Sequence, residues 1–294
     1  MKQFKRVGVT GRQGRAEIID TLQRLLLFMM GQEVTVILDE RIEGLLPEHQ
    51  LLTCKRAEMG LQCDLVIVVG GDGSLLGAAR DLVNHNVPVI GINRGNLGFL
   101  TDICPNELEQ QLSSVLEGNY LVESRFLLDT RVIRNGSVIG EGVSLNDAVL
   151  HPGTSTRIIE FELFIDELFV YKQRSDGLII STPTGSTAYA LSGGGPIMHP
   201  SIDAMVLVPM FPHMLTNRPL VVGGESQLKL VITSANSISP QVSCDGQVHI
   251  AVAPGDEILI NKKPKKLNSI HPLTHNFYEA CRSKLRWNYQ GYSQ

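Results

Sequence analysis

Residues 64–80 read DLVIVVGGDGSLLGAAR: five aliphatic residues, Leu65–Val69, then three glycines around one carboxylate, then a small-residue segment with helical spacing. A strand apolar on both faces is what a parallel sheet covered by helices on each side requires. Gly70, Gly71 and Gly73 let the chain turn out of that strand into a helix. The stretch predicts a strand–turn–helix unit of an α/β domain, with Asp72 in its most pliable part.

The surrounding sequence carries the same alternation. Val7–Thr10, Val34–Leu38 and Val87–Ile92 read as further strands, and 15–30, 74–84 and 106–117 as helices, the first with Ile18, Ile19, Leu22, Leu25 and Leu26 on one face. Residues 1–125 are thus expected to form an α/β domain with a parallel sheet. After that point the segments SRFLLDTRVI, IIEFELFID, LFVYKQ, DGLIIST, AMVLVPM, SQLKLVI and DEILIN are short, β-rich and separated by turn residues. They predict an all-β, sandwich-like domain over 126–269, interrupted by one short helix near 186–192. An amphipathic helix over His275–Arg286 follows, and the segment 270–294 is assigned back to the first domain.

Composition narrows the function. Twenty-six basic against 30 acidic residues give a net charge of −4, which argues against a nucleic-acid partner. The basic run KKPKK at 262–266 sits beside turn residues and reads as a solvated face. The five cysteines, Cys54, Cys63, Cys104, Cys244 and Cys281, form no C-x-x-C pair. Scattered, odd-numbered thiols without a signal-peptide pattern imply reduced cysteines and a cytoplasmic location. No apolar run approaches the roughly 20 residues of a membrane span.

Four stretches carry chemistry. In GGDGS, small residues at a helix N-terminus let backbone N–H groups approach phosphate oxygens, which makes Gly70, Gly71, Gly73 and Ser74 candidates for holding a nucleotide's phosphates. A carboxylate there would repel a phosphate, so Asp72 is read as orienting a hydroxyl nucleophile or holding Mg²⁺. Capping of the following helix is the plainer role. In STPTGSTAYALSGGGP (181–196), Thr187, free N–H groups and the ring of Tyr189 suit a ribose, phosphate or base, or else a turn between sheets. In SLNDAVLHPG, Asn146 beside Asp147 offers fixed acceptors for vicinal hydroxyls, or forms a turn. In QRSDGLI, Arg174 and Asp176 are two apart and expected on one strand face, as a site or as an ion pair.

Other motifs are absent. There is no G-x-x-x-x-G-K-[ST], VGVTGRQG has the spacing G-x-x-G-x-x-G rather than a dinucleotide fingerprint, and PTGSTAY lacks the second glycine of a nucleophile elbow. His271 and His275 are four apart, but Pro272 argues against a helical metal pair, and no protein metal ligands are assigned.

GGDG, GINRGNLGFLTD, an N-[DE] pair and DGLIISTPTGSTAYALSGGGP, in this order, resemble the NAD kinase family from about residue 5 to KLRW. GGDG is shared with diacylglycerol, sphingosine and phosphofructokinase-type kinases; NRGNLGFL and GSTAYALS are more specific. The resemblance implies phosphorylation of the 2′-hydroxyl of NAD's adenosine ribose with ATP or another phosphoryl donor, a divalent cation such as Mg²⁺, and a homo-oligomer, dimer or tetramer. It implies that Asp72 is the general base with Gly73 beside it. It also implies NAD contacts from Asn146, Asp147, Arg157, Arg174, Asp176, Thr187, Ala188, Tyr189, Ala190, Leu191, Ser192 and Gln247. A lipid or sugar kinase sharing GGDG, or a non-catalytic NADP(H) sensor, are the alternatives. The hairpin tip Asp166-Glu167 lacks the family's usual glycine and suggests a different turn type.

Overall fold

The computed structural model describes residues 4–11, 16–46, 50–93, 98–155, 157–214, 216–236 and 238–287. The chain forms two compact units, Met1–Ser124 with Leu267–Gln294, and Arg125–Lys266.

The elements of the first unit are β1 (Arg6–Gly11), α1 (Ala16–Met30), β2 (Thr35–Asp39), α2 (Glu40–Glu43), β3 (Leu52–Cys54), α3 (Arg56–Gln62), β4 (Leu65–Val69), α4 (Asp72–Leu82), β5 (Val89–Ile92), α5 (Leu108–Leu116) and β6 (Leu121–Arg125). The second unit follows with β7 (Leu128–Arg134), β8 (Ser137–Ser144), β9 (Asp147–His151), β10 (Ile159–Ile165), β11 (Leu168–Ser175), β12 (Gly177–Ser181), α6 (Tyr189–Ser192), β13 (Ala204–Met210), β14 (Leu220–Gly223), β15 (Leu228–Ile232), β16 (Gln241–Cys244), β17 (Val248–Ala251) and β18 (Glu257–Lys262). β19 (Leu267–His271) and α7 (Phe277–Leu285) return to the first.

In the first unit a single sheet runs β3-β2-β1-β4-β5-β19-β6. β4 is central, parallel to both β1 and β5, and all five of its side chains are fully buried. Leu65, Ile67 and Val69 pack with Leu22, Leu25 and Met29 of α1, and with Leu108, Leu112 and Val115 of α5. Each such burial is worth about 1.5–3 kcal/mol, which is why the uncharged run stays in place. β3, α3, β6 and β19 escape the sequence reading, being short or weakly apolar; β19 joins β5 through a single parallel register pair, Ser269 with Val89. Helix α4 starts at Asp72 rather than Ser74, so the aspartate lies in its first turn.

The second unit is two six-stranded sheets, β11-β10-β15-β18-β7-β8 and β14-β13-β12-β9-β16-β17, antiparallel wherever strands pair. Their facing sides share one core, in which Phe161, Leu163 and Ile258 meet Leu178, Ile180 and Leu207. Ile179 points the other way and packs with Ala190, Met198 and Val208, so β12 is covered on both faces. This is the expected α/β domain followed by a β-sandwich. The short helix expected near 186–192 is a 3₁₀ turn, Thr184–Thr187, and α6, broken by the backbone at Ala188.

The β10–β11 hairpin corrects one expectation. Asp166 and Glu167 have φ of 50° and 66°, both left-handed, which is the type I′ turn that glycine normally serves. Asp166 compensates by accepting from Gln227 N at 2.8 Å and donating its own N–H to Gln227 O at 2.9 Å. No helix among the described residues is long and apolar enough to cross a membrane, and no disulfide joins any of the five cysteines.

Candidate active site

In the first unit the site begins where β4 gives way to α4. Gly70 leaves the strand with φ 151° and donates to Ile92 O of β5 at 2.9 Å. A Cβ on it would lie 2.3 Å from Ser74 Oγ, so only glycine fits. Gly71 is the N-cap of α4, and no side chain caps that end. The first turn, with Gly73 exposed and Ser74 half-buried, presents the positive end of an 11-residue helix.

Asp72 does not cap its own helix. Its Oδ2 accepts from Phe99 N at 3.0 Å, and its Oδ1 accepts from Leu100 N and Thr101 Oγ1, both at 3.1 Å. The carboxylate is therefore fixed by three donors from the turn after β5. Gly98 must be glycine for the same reason, since a Cβ there would lie 2.3 Å from Asp72 Oδ1. Residues 94–97 of GINRGNLGFL lie outside the described residues. Asp72 keeps lone pairs for a hydroxyl or a cation, because three donors do not use up two carboxylate oxygens.

The second unit assembles a site around Asn146 and Asp147, where the chain leaves β8 and Asp147 opens β9. Asp245 is the organiser. Asp245 and Gly246, with φ 52° and 61°, turn β16 into β17 and are closed by Gln247 N donating to Cys244 O at 3.0 Å. The Asp245 carboxylate accepts from three successive amides, Leu145 N at 3.0 Å, Asn146 N at 2.8 Å and Asp147 N at 3.2 Å. The stretch before β12's helical turn grips the same backbone from the other side. Thr182 N donates to Asn146 O at 2.9 Å, and Thr182 Oγ1 donates to Leu145 O at 2.6 Å. A Cβ on Gly185 would lie 2.2 Å from Asn146 O, so the GSTAY turn can approach only as glycine.

Asp147 is only 5% exposed. Burial, and then the neighbouring Asp245 charge, push its carboxyl up to about 7. An acid held there by desolvation is poised to gain from hydroxyl donors that a ligand brings.

Tyr189, Met210 and Phe211 stand between two cavities of this unit. One, of about 460 Å³, is lined also by Ser192, Gly193 and Pro209; the other, of about 570 Å³, by Asp176, His151 and Ser243. Phe211 is 79% exposed and has φ 43°, an unfavourable conformation for a bulky residue.

The remaining sequence-predicted residues divide. Thr187, Ala188 and Leu191 are half-buried on the turn, and Gln247 is at the β16–β17 turn. Ala190 is fully buried in the apolar cluster behind β12, where it supports the turn. Arg157 is exposed, its N–H on Ser155 Oγ at 3.1 Å. Arg174 and Asp176 do not share a strand face: β11 ends at Ser175, β12 begins at Gly177, and the two strands belong to different sheets. Asp176 sits at that crossover, with its N–H on Met210 O, while Arg174 registers with Glu160. Sequence reasoning missed Asp245, Phe211 and the Phe99–Thr101 turn. The Asp-Gly pair in SCDGQ was the available signal for the first.

Comparison with known proteins agrees over nearly the full length. Residues 7–120 match the ATP-NAD kinase N-terminal domain family, and residues 145–272 the ATP-NAD kinase C-terminal domain family. The chain is 60% identical over 287 residues, 98% of its length, to NAD kinases of Pseudomonas putida and Pseudomonas entomophila, and covers 97% of each. Among solved structures it resembles yeast NADH kinase complexed with NADH, at 25% identity and a TM-score of 0.89, over 99% of this chain and 90% of that one. An Archaeoglobus fulgidus NAD kinase in complex with ATP shares the fold at 24% identity and a TM-score of 0.75, over 96% and 98% of the two chains.

Proposed function

The chain belongs to the ATP-NAD kinase family, and from that premise we propose how its residues carry the reaction. It is an enzyme that converts NAD to NADP with ATP; the lipid- and sugar-kinase readings of GGDG fall away. The observation that carries the residue assignment is the Asp72 carboxylate, immobilised by Phe99 N, Leu100 N and Thr101 Oγ1 instead of capping α4.

A ribose hydroxyl is far less acidic than a carboxylic acid, so Asp72 does not deprotonate it beforehand. It orients the 2′-hydroxyl of NAD and takes the proton as the new P–O bond forms, which suits a loose phosphoryl-transfer transition state. Because the carboxylate is already fixed, little reorganisation is needed at that moment. Gly70, Gly71, Gly73 and Ser74 present the first turn of α4 to the phosphates of ATP. Asn146 and Asp147 hold hydroxyls of NAD, and Tyr189, Thr187 and Ser192 contact its rings and phosphates, with Asp176, Arg157, Arg174 and Gln247 as further contacts.

Mg²⁺, the cation expected for this chemistry, offsets phosphate charge when bound. The residues present fit it: Asp72 would hold the ion with the carboxylate lone pairs that Phe99 N, Leu100 N and Thr101 Oγ1 leave unused. Assembly as a dimer or tetramer is supported by exposed apolar residues on two edge strands, Leu168 and Phe169 of β11 and Leu220 and Val221 of β14. A monomer by light scattering at assay concentration overturns the assembly.

The test of the NAD assignment is Asp147→Ala, assayed by NADP formed. KM for NAD rises far more than KM for ATP, because only the NAD ribose loses its partner. Equal rises in both refute it.

A further inference from the structure

His271 closes β19, His275 lies in the turn before α7, and Glu123 stands on β6. With Asp102 they form one cluster in the first unit. Asp102 Oδ2 lies 2.8 Å from His271 Nδ1 and 2.7 Å from His275 Nδ1, and the two rings stack with centroids 4.1 Å apart. The opposite ring edges face the Glu123 carboxylate, His271 Nε2 3.8 Å from Oε2 and His275 Nε2 3.6 Å from Oε1. The side chains of Asp102, His271 and His275 are 9%, 1% and 9% exposed, so water screens little of this. Buried Asp102 Oδ1 has no hydrogen-bond partner, and both rings converge on Oδ2 alone.

The charge of the cluster follows from its donors. An ionised carboxylate only accepts, so both Nδ1 atoms carry protons. A neutral ring held that way turns its Nε2 lone pair toward Glu123, lone pair against carboxylate. A second proton makes His275 a cation between two carboxylates. Burial works against that charge, but Asp102 and Glu123 outweigh it and raise the His275 pKa to about 9. Burial likewise disfavours an ionised Asp102, and the two imidazoles outweigh it, holding its carboxyl down at about 2. The titratable groups facing His275 are thus Asp102 from the segment after β5, His271 from β19 and Glu123 from β6. Behind Asp102, burial and then the Glu107 and Asp102 charges push the Cys104 thiol up, so it stays neutral.

Asp102 stands back to back with a residue that fixes Asp72. Its segment runs alongside β5 through a parallel bridge of Ile92 with Ile103, Asn93 N donating to Ile103 O at 2.8 Å. Neighbouring side chains there point opposite ways. Thr101 reaches Asp72 Oδ1, and Asp102 reaches the two histidines. We propose that Asp102 is a positioning residue for Asp72, held in place by a protonated His275 that bridges it to Glu123. That role rests on Asp72 being the catalytic carboxylate. Tying Asp102 to β19 and the turn before α7 fixes the backbone of Phe99–Thr101, whose three donors aim that carboxylate.

The assay is NADP formed per folded enzyme, with KM for NAD and for ATP measured separately. Asp102→Asn lowers kcat about 10- to 100-fold, the scale of a misplacement of up to about 1 Å, because all three donors to Asp72 ride on that segment. Both KM values stay within about twofold of the parent. His275→Asn keeps a donor for Asp102 but no charge, and lowers kcat about three- to tenfold near neutral pH. A raised pKa puts loss of the hold on the alkaline side: the ratio of parent to His275→Asn kcat is constant between about pH 7 and 8 and falls toward one above about pH 9. In an Asp72→Asn background, Asp102→Asn costs no more than about a further twofold, since the group it positions is gone. Where a variant does not fold, ring NMR signals of the unaltered chain carry the test, with His275 titrating near 9. The proposal is overturned by parental kcat in folded Asp102→Asn, by its full cost persisting in the Asp72→Asn background, by a ratio that ignores pH, or by His275 titrating at or below 6.5. Asp72→Asn turning over like the parent is a separate failure, that of the catalytic reading of Asp72, and the positioning role falls with it.

Discussion

Replacing Asp72 with Asn separates what the carboxylate does for the fold from what it does for the reaction. Asp72 Oδ1 accepts from Leu100 N and Thr101 Oγ1, and Oδ2 accepts from Phe99 N. The amide keeps one acceptor oxygen for the first two donors, but turns its NH₂ toward Phe99 N–H, donor against donor. One hydrogen bond to a charged group, worth about 1.5–3 kcal/mol, is lost, and two others become neutral and weaker. Partial exposure lets water recover some of this, so a net loss of about 2–4 kcal/mol is expected, equivalent to a fall in Tm of roughly 5–10 °C. Loss of the proton acceptor separately lowers kcat by about 10² to 10⁴. Thr101→Val is the matched control, removing one donor while leaving the carboxylate. It costs about 1 kcal/mol and lowers kcat less than about tenfold. Differential scanning calorimetry and NADP formation, with rates normalised to folded enzyme, are the assays. Asp72→Asn turning over within tenfold of the parent while melting lower makes Asp72 a structural clamp; an unchanged Tm refutes the three-donor account.

Asp147 predicts an inverted pH dependence. Its folded pKa of about 7 lies above the unfolded value, so the ligand-free fold binds the extra proton and loses stability as pH rises from about 4 to 7. Asp147→Asn removes that penalty: it raises Tm at pH 8, by the equivalent of about 2–4 kcal/mol, and changes little at pH 4. An equal effect at both pH values contradicts the burial argument. Glu167→Gly places glycine in a left-handed position of the β10–β11 turn and stabilises by about 0.5–1 kcal/mol, read as a higher urea midpoint at constant slope. Gly98→Ala drives a methyl into Asp72 Oδ1, and kcat falls at least tenfold with KM for NAD little changed. An active Gly98→Ala variant shows that the carboxylate need not be held where it is.

What the sequence determined by itself is what depends on local pattern. VIVV between polar flanks can be satisfied only by burial on both faces, so a parallel strand ending in GGDG was legible, and alternating apolar residues in segments such as FELFI and LKLVI made the sandwich legible. The pairing of Asn146 with Asp147 and the Thr/Gly content of GSTAY also marked their stretches without coordinates. The partners of those residues were not legible, because contacts across the chain leave no trace in spacing. Asp72 meets donors 27–29 positions away, and Asp245 caps amides about a hundred positions away. The pairing of Asp102 with His271 spans 169 residues. Arg174 and Asp176 failed for the opposite reason: a period of two holds only within one strand, and the chain changes sheets between them. The tertiary structure therefore decided which way each carboxylate points and which of them is desolvated. Orientation and burial come from long-range packing, and they set the chemistry of Asp72, Asp147 and the His271–His275 pair.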